Sequence, residues 1–133
     1  MFPKNTKILV VDDMKGIRVL ITKLLKELGY ATVQEAENGE MALEIISKAQ
    51  TSEPFGLIIC DLRMPKMDGL DLLSKLRTDQ AFAKLPFVML TAESEKENVV
   101  KAIEIGVNEY IIKPTTAPIL SKKLEKVWKS LNP

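Results

Sequence analysis

A chain of 133 residues has the length of one ordinary domain, which buries about two-thirds of the surface its unfolded chain exposes, so one core suffices. Nineteen Lys and Arg against eighteen Asp and Glu leave a formal charge of +1 with no long block of either sign, excluding the footprint of a nucleic-acid binder or a basic membrane anchor. With no histidine and a single cysteine, Cys60, the chain has no internal disulfide, no Cys-based zinc site, no His general base and no phosphohistidine of its own.

"KILVVDD" (Lys7–Asp13) is an apolar run bounded by charge, as expected of a strand buried on both faces. Ile17, Leu20, Ile21, Leu24, Leu25 and Leu28 then share one helix face, and Gly29 stands at the usual stop. "TVQEA" (Thr32–Ala36) is shorter and more polar, which suits an edge strand; Asn38-Gly39 turns the chain, and Ala42, Leu43, Ile46 and Ala49 mark a second helix. "LIIC" (Leu57–Cys60) is a third strand, followed by a helix carrying Leu70, Leu73 and Leu76. "FVMLT" (Phe87–Thr91) is a fourth, with Pro86 at its entrance where the missing N–H does least harm. "SEKE" (Ser94–Glu97) fits a capping box, and Val99, Ala102 and Ile103 carry that helix to Gly106. "EYIIK" (Glu109–Lys113) is a fifth strand, and Ile119, Leu120, Leu124, Val127 and Leu131 mark the closing helix.

Five alternations of strand and helix predict an α/β fold, a doubly wound parallel sheet with helices on both faces, because a parallel crossover needs a dozen or so residues and a helix fills them. Neither a repeat nor a linker interrupts the pattern. No apolar run approaches the roughly 18 residues of a membrane span. The start, "MFPKNTK", lacks the apolar region of a signal peptide, so a cytoplasmic protein without membrane insertion is expected.

In a parallel sheet the carboxyl ends of the strands share one edge, where open sheets of this kind bind ligands. The polar residues that end the apolar runs therefore converge: Asp12 and Asp13, Asp61, Thr91 and Lys113. Singly, each is commoner as a cap, a turn former or a solvated charge. Three acids, a hydroxyl and an amine on one edge are more than capping requires. Carboxylates held close either shift a pKa upward or take in a cation, and without His or a usable Cys set that cation is Mg²⁺, which wants oxygen ligands. A third acid left free, with a Lys and a hydroxyl beside it, suits phosphoryl transfer, and Asp61 is the candidate nucleophile.

The ordered pieces "VVDD" (10–13), "KELGY" (26–30), "DLRMPKMDGLDLL" (61–73), "TAESEKEN" (91–98) and "EYIIKP" (109–114) resemble bacterial response-regulator receiver domains, among them the single-domain chemotaxis regulators that bind the flagellar motor switch. The resemblance implies one receiver domain over residues 1–133 with a flavodoxin-like strand order 2-1-3-4-5 and five helices. It also implies Asp61 as phosphoacceptor, and Mg²⁺ held by Asp12, Asp13, the Asp61 carboxylate and the backbone carbonyl of Arg63. Lys113 pairs with Asp61 and then the phosphoryl group, Thr91 hydrogen-bonds a phosphoryl oxygen, Tyr110 is the switch aromatic, and the Lys113-Pro114 bond is cis. The implied donor is a sensor histidine kinase or a small acyl phosphate; the implied partners are an output protein such as the flagellar motor switch protein and a phosphatase. The protein is then no enzyme beyond its own phosphorylation and autodephosphorylation, and it signals through the face built from the fourth helix, fifth strand and last helix.

The chain departs from the chemotaxis pattern at Arg63, where Asn is usual, and at Thr115, where Phe is common; Glu95 and Lys101 also alter the output face. Arg63 and Glu93 are expected to reach across the site as an ion pair that hinders the hydrolytic water. Cys60 is expected in the core, and Trp128 with Lys122, Lys123 and Lys126 on a solvated last helix. One alternative is a stand-alone receiver that relays phosphate or binds a partner in another pathway. Another is an aspartyl-phosphate-type Mg²⁺-dependent phosphatase, disfavoured because Arg63 stands where such enzymes place a second Asp.

Overall fold

The computed structural model describes residues 1–92 and 94–133. Strands β1 (Ile8–Val11), β2 (Val33–Ala36), β3 (Leu57–Cys60), β4 (Phe87–Thr91) and β5 (Glu109–Ile112) alternate with helices α1 (Lys15–Glu27), α2 (Gly39–Ala49), α3 (Gly69–Thr78), α4 (Lys96–Ile105) and α5 (Ala117–Leu131). All pairings are parallel, in the order β2-β1-β3-β4-β5. The polar strand Thr32–Ala36 does lie at an edge.

Alternate strand positions feed two cores, as the two-residue period of a strand requires. Ile8, Val10, Leu57, Ile59, Val88 and Leu90 pack under Ile21 and Leu25 of α1 and Leu120, Leu124 and Val127 of α5. Leu9, Val11, Ile58, Cys60, Phe87 and Met89 pack on the other face under α2, α3 and α4. Cys60 is fully buried there, and burial pushes its thiol well above the ordinary range, so it is inert core.

The helices differ from the sequence expectation in two respects. The capping box at Ser94–Glu97 does not form: Glu95 is the N-cap of α4, and no side chain caps it. Leu20, Ile103, Ile119 and Leu131 lie exposed, because α1, α4 and α5 each cover the sheet with a narrower stripe than their apolar residues mark. The opposite end of α4 is firmly built. Gly106 closes it with a φ of +117°, a region only glycine enters without steric cost. The half-buried Arg77 then donates to the Gly106 carbonyl (3.0 Å), the Phe82 carbonyl (3.2 Å) and Asn108 Oδ1 (3.0 Å). At the same end of the sheet Phe2 is buried, its carbonyl accepts from the Tyr30 hydroxyl at 2.9 Å, and its ring lies 5.2 Å from that of Trp128.

Candidate functional site

The carboxyl ends of β1, β3 and β4 and the residue after β5 bring together Asp12, Asp13, Asp61, Thr91 and Lys113. Carboxylate oxygens of Asp12, Asp13 and Asp61 lie within 4.8 Å of one another. Asp12 and Asp61 are buried and Asp13 is exposed, so the cluster opens to solvent on one side. Thr91 is buried, and its hydroxyl hydrogen-bonds the Asp61 carboxylate. Lys113 Nζ lies 2.7 Å from Asp12 Oδ2 and 3.5 Å from Asp61 Oδ2. The lysine therefore bridges two acids and sits nearer Asp12 than Asp61, a placement that follows from Asp12 having the less exposed side chain of the two. The Lys113-Pro114 bond is cis.

Burial raises the Asp61 pKa most; the Thr91 hydrogen bond and the Lys113 charge oppose that rise, while the charge of Asp12 adds to it. The Leu62 N–H donates to Asp61 Oδ1 at 2.8 Å and the Met14 N–H to Asp12 Oδ1 at 2.9 Å, so the two buried acids are aimed by backbone as well as by charge.

The loop from β3 to α3 is fixed by a residue that the sequence reading passed over. Gly69 opens α3 with its N–H donating to the Leu62 carbonyl at 2.9 Å, and a Cβ there would collide with the carbonyl oxygen of Asp61. Backbone thus packs on backbone directly beneath the candidate nucleophile. The signal was the Asp-Gly pair after a strand: Asp68 is the N-cap, accepting from the Asp71 N–H at 2.9 Å, and glycine is required immediately after it. Earlier in the same loop Lys66 holds a φ of 66°, the left-handed region that costs a side-chain-bearing residue about 1–2 kcal/mol.

Arg63 is exposed and lines a cleft of about 360 Å³ with Asp13, Met64, Pro65 and Asp68. Glu93, its expected partner across the site, lies outside the described residues. Tyr110 is half-buried and lines a separate cavity of about 380 Å³ with Ser94, Val99, Ile103 and Ile112 among others. Among the described residues no helix is long and apolar enough to cross a membrane.

The donor set at the rim is oxygen throughout, clustered and open on one side. That suits a hard divalent cation such as Mg²⁺, which takes oxygen ligands and keeps several waters. Asp12, Asp13 and Asp61 are the residues that fit it.

A doubly wound sheet of this strand order, with an acid cluster, a Thr and a Lys at its carboxyl edge, defines a receiver. Residues 8–125 match the response regulator receiver domain family, and the chain belongs to that family. Chemotaxis proteins are among its relatives: it is 41% identical over 128 residues to chemotaxis protein CheY-3 of Vibrio cholerae, covering 96% of this chain and 95% of that one. It is 38% identical over 126 residues to the chemotaxis protein CheY of Pseudomonas aeruginosa, covering 95% and 98%. Among solved structures, CheY4 of Vibrio cholerae superposes with a TM-score of 0.80 at 32% identity, covering 92% of this chain and 98% of that one. A two-component response regulator from Clostridium difficile gives 0.82 at 28% identity, covering 97% and 100%.

Proposed function

We propose that this chain is a phosphorylation-activated response regulator, accepting a phosphoryl group on Asp61 from a phosphohistidine of a sensor histidine kinase or from a small acyl phosphate. It signals through the α4-β5-α5 face in chemotaxis and flagellar motor control. The observation that carries the reading is the position of the Asp61 carboxylate, between the Thr91 hydroxyl and the Lys113 ammonium and beside Asp12 and Asp13.

In the transfer, an Asp61 carboxylate oxygen forms a bond to phosphorus as the phosphorus–nitrogen bond of the donor breaks, and the departing imidazole takes a proton from solvent. Lys113 stands ready to move from its two acids onto a phosphoryl oxygen, and the Thr91 hydroxyl to donate to another. Asp12 and Asp13, with Asp61 and the Arg63 carbonyl, would hold Mg²⁺, which when bound neutralises charge on the phosphoryl oxygens. Withdrawal of Thr91 toward the phosphoryl group frees space into which Tyr110 turns, and a partner that prefers that face reads the shift. Apart from its own phosphorylation and dephosphorylation the chain turns nothing over.

Intact-mass measurement after incubation with acetyl phosphate and Mg²⁺ tests the reading. Gain of one phosphoryl group by the parent and none by Asp61→Asn is expected; repeated turnover of a simple phosphomonoester, or an unmodified Asp61, would overturn it.

A further inference from the structure

Arg18 has no part in the site as described, yet it grips that site's backbone. It projects from the first turn of α1 across the end of β1, with its side chain only 12% exposed. Its Nη1 donates to the carbonyl of Asp12 at 2.8 Å, and its Nε donates to Glu35 Oε1 on β2 at 2.9 Å. Glu35 stands beside Val10 in the parallel register, and the Asp12 N–H donates to the Ala36 carbonyl at 3.1 Å, so β2 anchors both ends of the grip.

The carbonyl that Arg18 holds belongs to the peptide joining Asp12 to Asp13. Asp12 is over-determined, with Oδ1 on the Met14 N–H and Oδ2 on Lys113. Asp13 is different. It is exposed, and among the described residues no hydrogen bond holds its carboxylate, so what the fold fixes is the backbone from which it projects. The orientation of the Asp12-Asp13 peptide is therefore what aims Asp13 into the cluster, and Arg18 fixes that peptide.

We infer that Arg18, braced by Glu35, is a positioning residue for the cation site: it holds the Asp12-Asp13 peptide so that Asp13 completes the acid cluster, while Glu35 offsets a positive charge that would otherwise repel the ion. The inference rests on the cation reading above and reaches beyond it. A guanidinium suits the task because separate nitrogens of one rigid planar fork, Nη1 and Nε, meet the two acceptors in fixed directions, which the point charge of an ammonium does not reproduce.

Geometry and charge predict opposite signs here. If Arg18 acted only through its charge, its loss would tighten divalent binding. If it acts by position, its loss loosens binding, as removal of a hydrogen-bonding partner behind a metal ligand does.

Calorimetric titration of the full chain with MgCl₂ at fixed ionic strength, with no phosphoryl donor, separates the two. Arg18→Met is expected to bind about tenfold more weakly than the parent, and Arg18→Lys to remain weakened despite its charge. Glu35→Gln keeps an acceptor for Nε but unbalances the guanidinium, so a loss of about two- to threefold is expected, shrinking at high salt. Arg77→Met, at the other end of the sheet, lowers stability and leaves Mg²⁺ affinity unchanged, which controls for general loosening of the fold. Mg²⁺ binding by Arg18→Met as tight as or tighter than the parent's, or parental affinity in Arg18→Lys, would overturn the positioning role. Failure of the parent to bind Mg²⁺, or an Asp13→Asn variant that binds as the parent does, would instead overturn the cation reading on which it stands.

Discussion

Asp61→Asn is expected to make the protein more stable at neutral pH, because the folded state holds that charge at a cost. Asp12 and Asp61 offer oxygens within 4.8 Å of one another, which at an effective dielectric of about 20 is a repulsion of at least about 3.5 kcal/mol. Lys113, 3.5 Å away, returns about 4.7 kcal/mol on the same scale, so the two nearly cancel. The burial of the carboxylate is the largest effect and sets the sign: with the screened repulsion of Asp13 it outweighs both the small Coulomb surplus and the hydrogen bonds from Thr91 and the Leu62 N–H, leaving a net cost on the order of 1 kcal/mol. The pH dependence has a definite sign. Burial raises the folded pKa of Asp61 above its ordinary 3.8, so the folded state binds the proton more tightly than the unfolded state. The destabilisation is therefore absent below the unfolded pKa and complete above the raised folded value, and the gain from Asp61→Asn shrinks as pH falls through that window. Urea unfolding of parent and variant in chelator at pH 7 and again near pH 4 measures it, with equal m-values showing that the denatured state is unchanged. Saturating Mg²⁺ stabilises the parent by mass action and narrows the gap at pH 7. An Asp61→Asn variant less stable than the parent at pH 7, or a difference that does not depend on pH, would refute the reasoning.

Gly69→Ala places a methyl group against the Asp61 carbonyl and forces the β3–α3 loop to shift; a loss of about 1–3 kcal/mol in urea unfolding is expected. Slower phosphorylation by acetyl phosphate accompanies it, since the displaced backbone carries the nucleophile. Arg77→Met removes three hydrogen bonds to the Gly106 and Phe82 carbonyls and to Asn108. That variant is expected to lose about 2–4 kcal/mol by the same measurement while its phosphorylation rate stays at the parental value.

The fold was legible because every strand but the polar edge strand β2 is a short apolar run closed by polar residues and each crossover holds a helical period, which leaves a parallel sheet as the way to join them. The rim was legible for a related reason. Asp12, Asp61, Thr91 and Lys113 end or directly follow strands, and the sheet carries strand ends to one edge whatever the details of packing. Contacts that cross between elements through side-chain reach were not legible. Arg18 looks like any solvated arginine on an amphipathic helix, and only the path of β2 shows that Glu35 and the Asp12 carbonyl lie within its span. Lys113 could be assigned to the acid cluster but not to a particular acid, because the choice depends on the relative burial of Asp12 and Asp61. Leu20, Ile103 and Ile119 belong to apolar stripes that mark their helices correctly yet lie exposed, since a period of 3.6 residues identifies a stripe without saying whether the sheet is wide enough to cover it.

The two ends of the sheet are held by different physics, and this separates stability from signalling. At the amino ends of the strands, Tyr30 meets the Phe2 carbonyl, Arg77 meets three acceptors and Phe2 packs on Trp128. These are satisfied hydrogen bonds and ring contacts, with nothing left to bind. At the carboxyl ends, three carboxylates cluster and the Lys113 ammonium meets two of them, so the rim carries surplus negative charge that a cation would relieve. In the proposed switch, binding energy from that end would be available to shift α4 and β5, and the riveted end would limit how far the shift spreads. The last turn of α4 is tied through Gly106 to Arg77, whereas among the described residues no side chain caps its first turn, the end nearer Thr91. In the proposed switch, a rearrangement that starts at Thr91 would reach the amino end of α4 before the end that Arg77 holds.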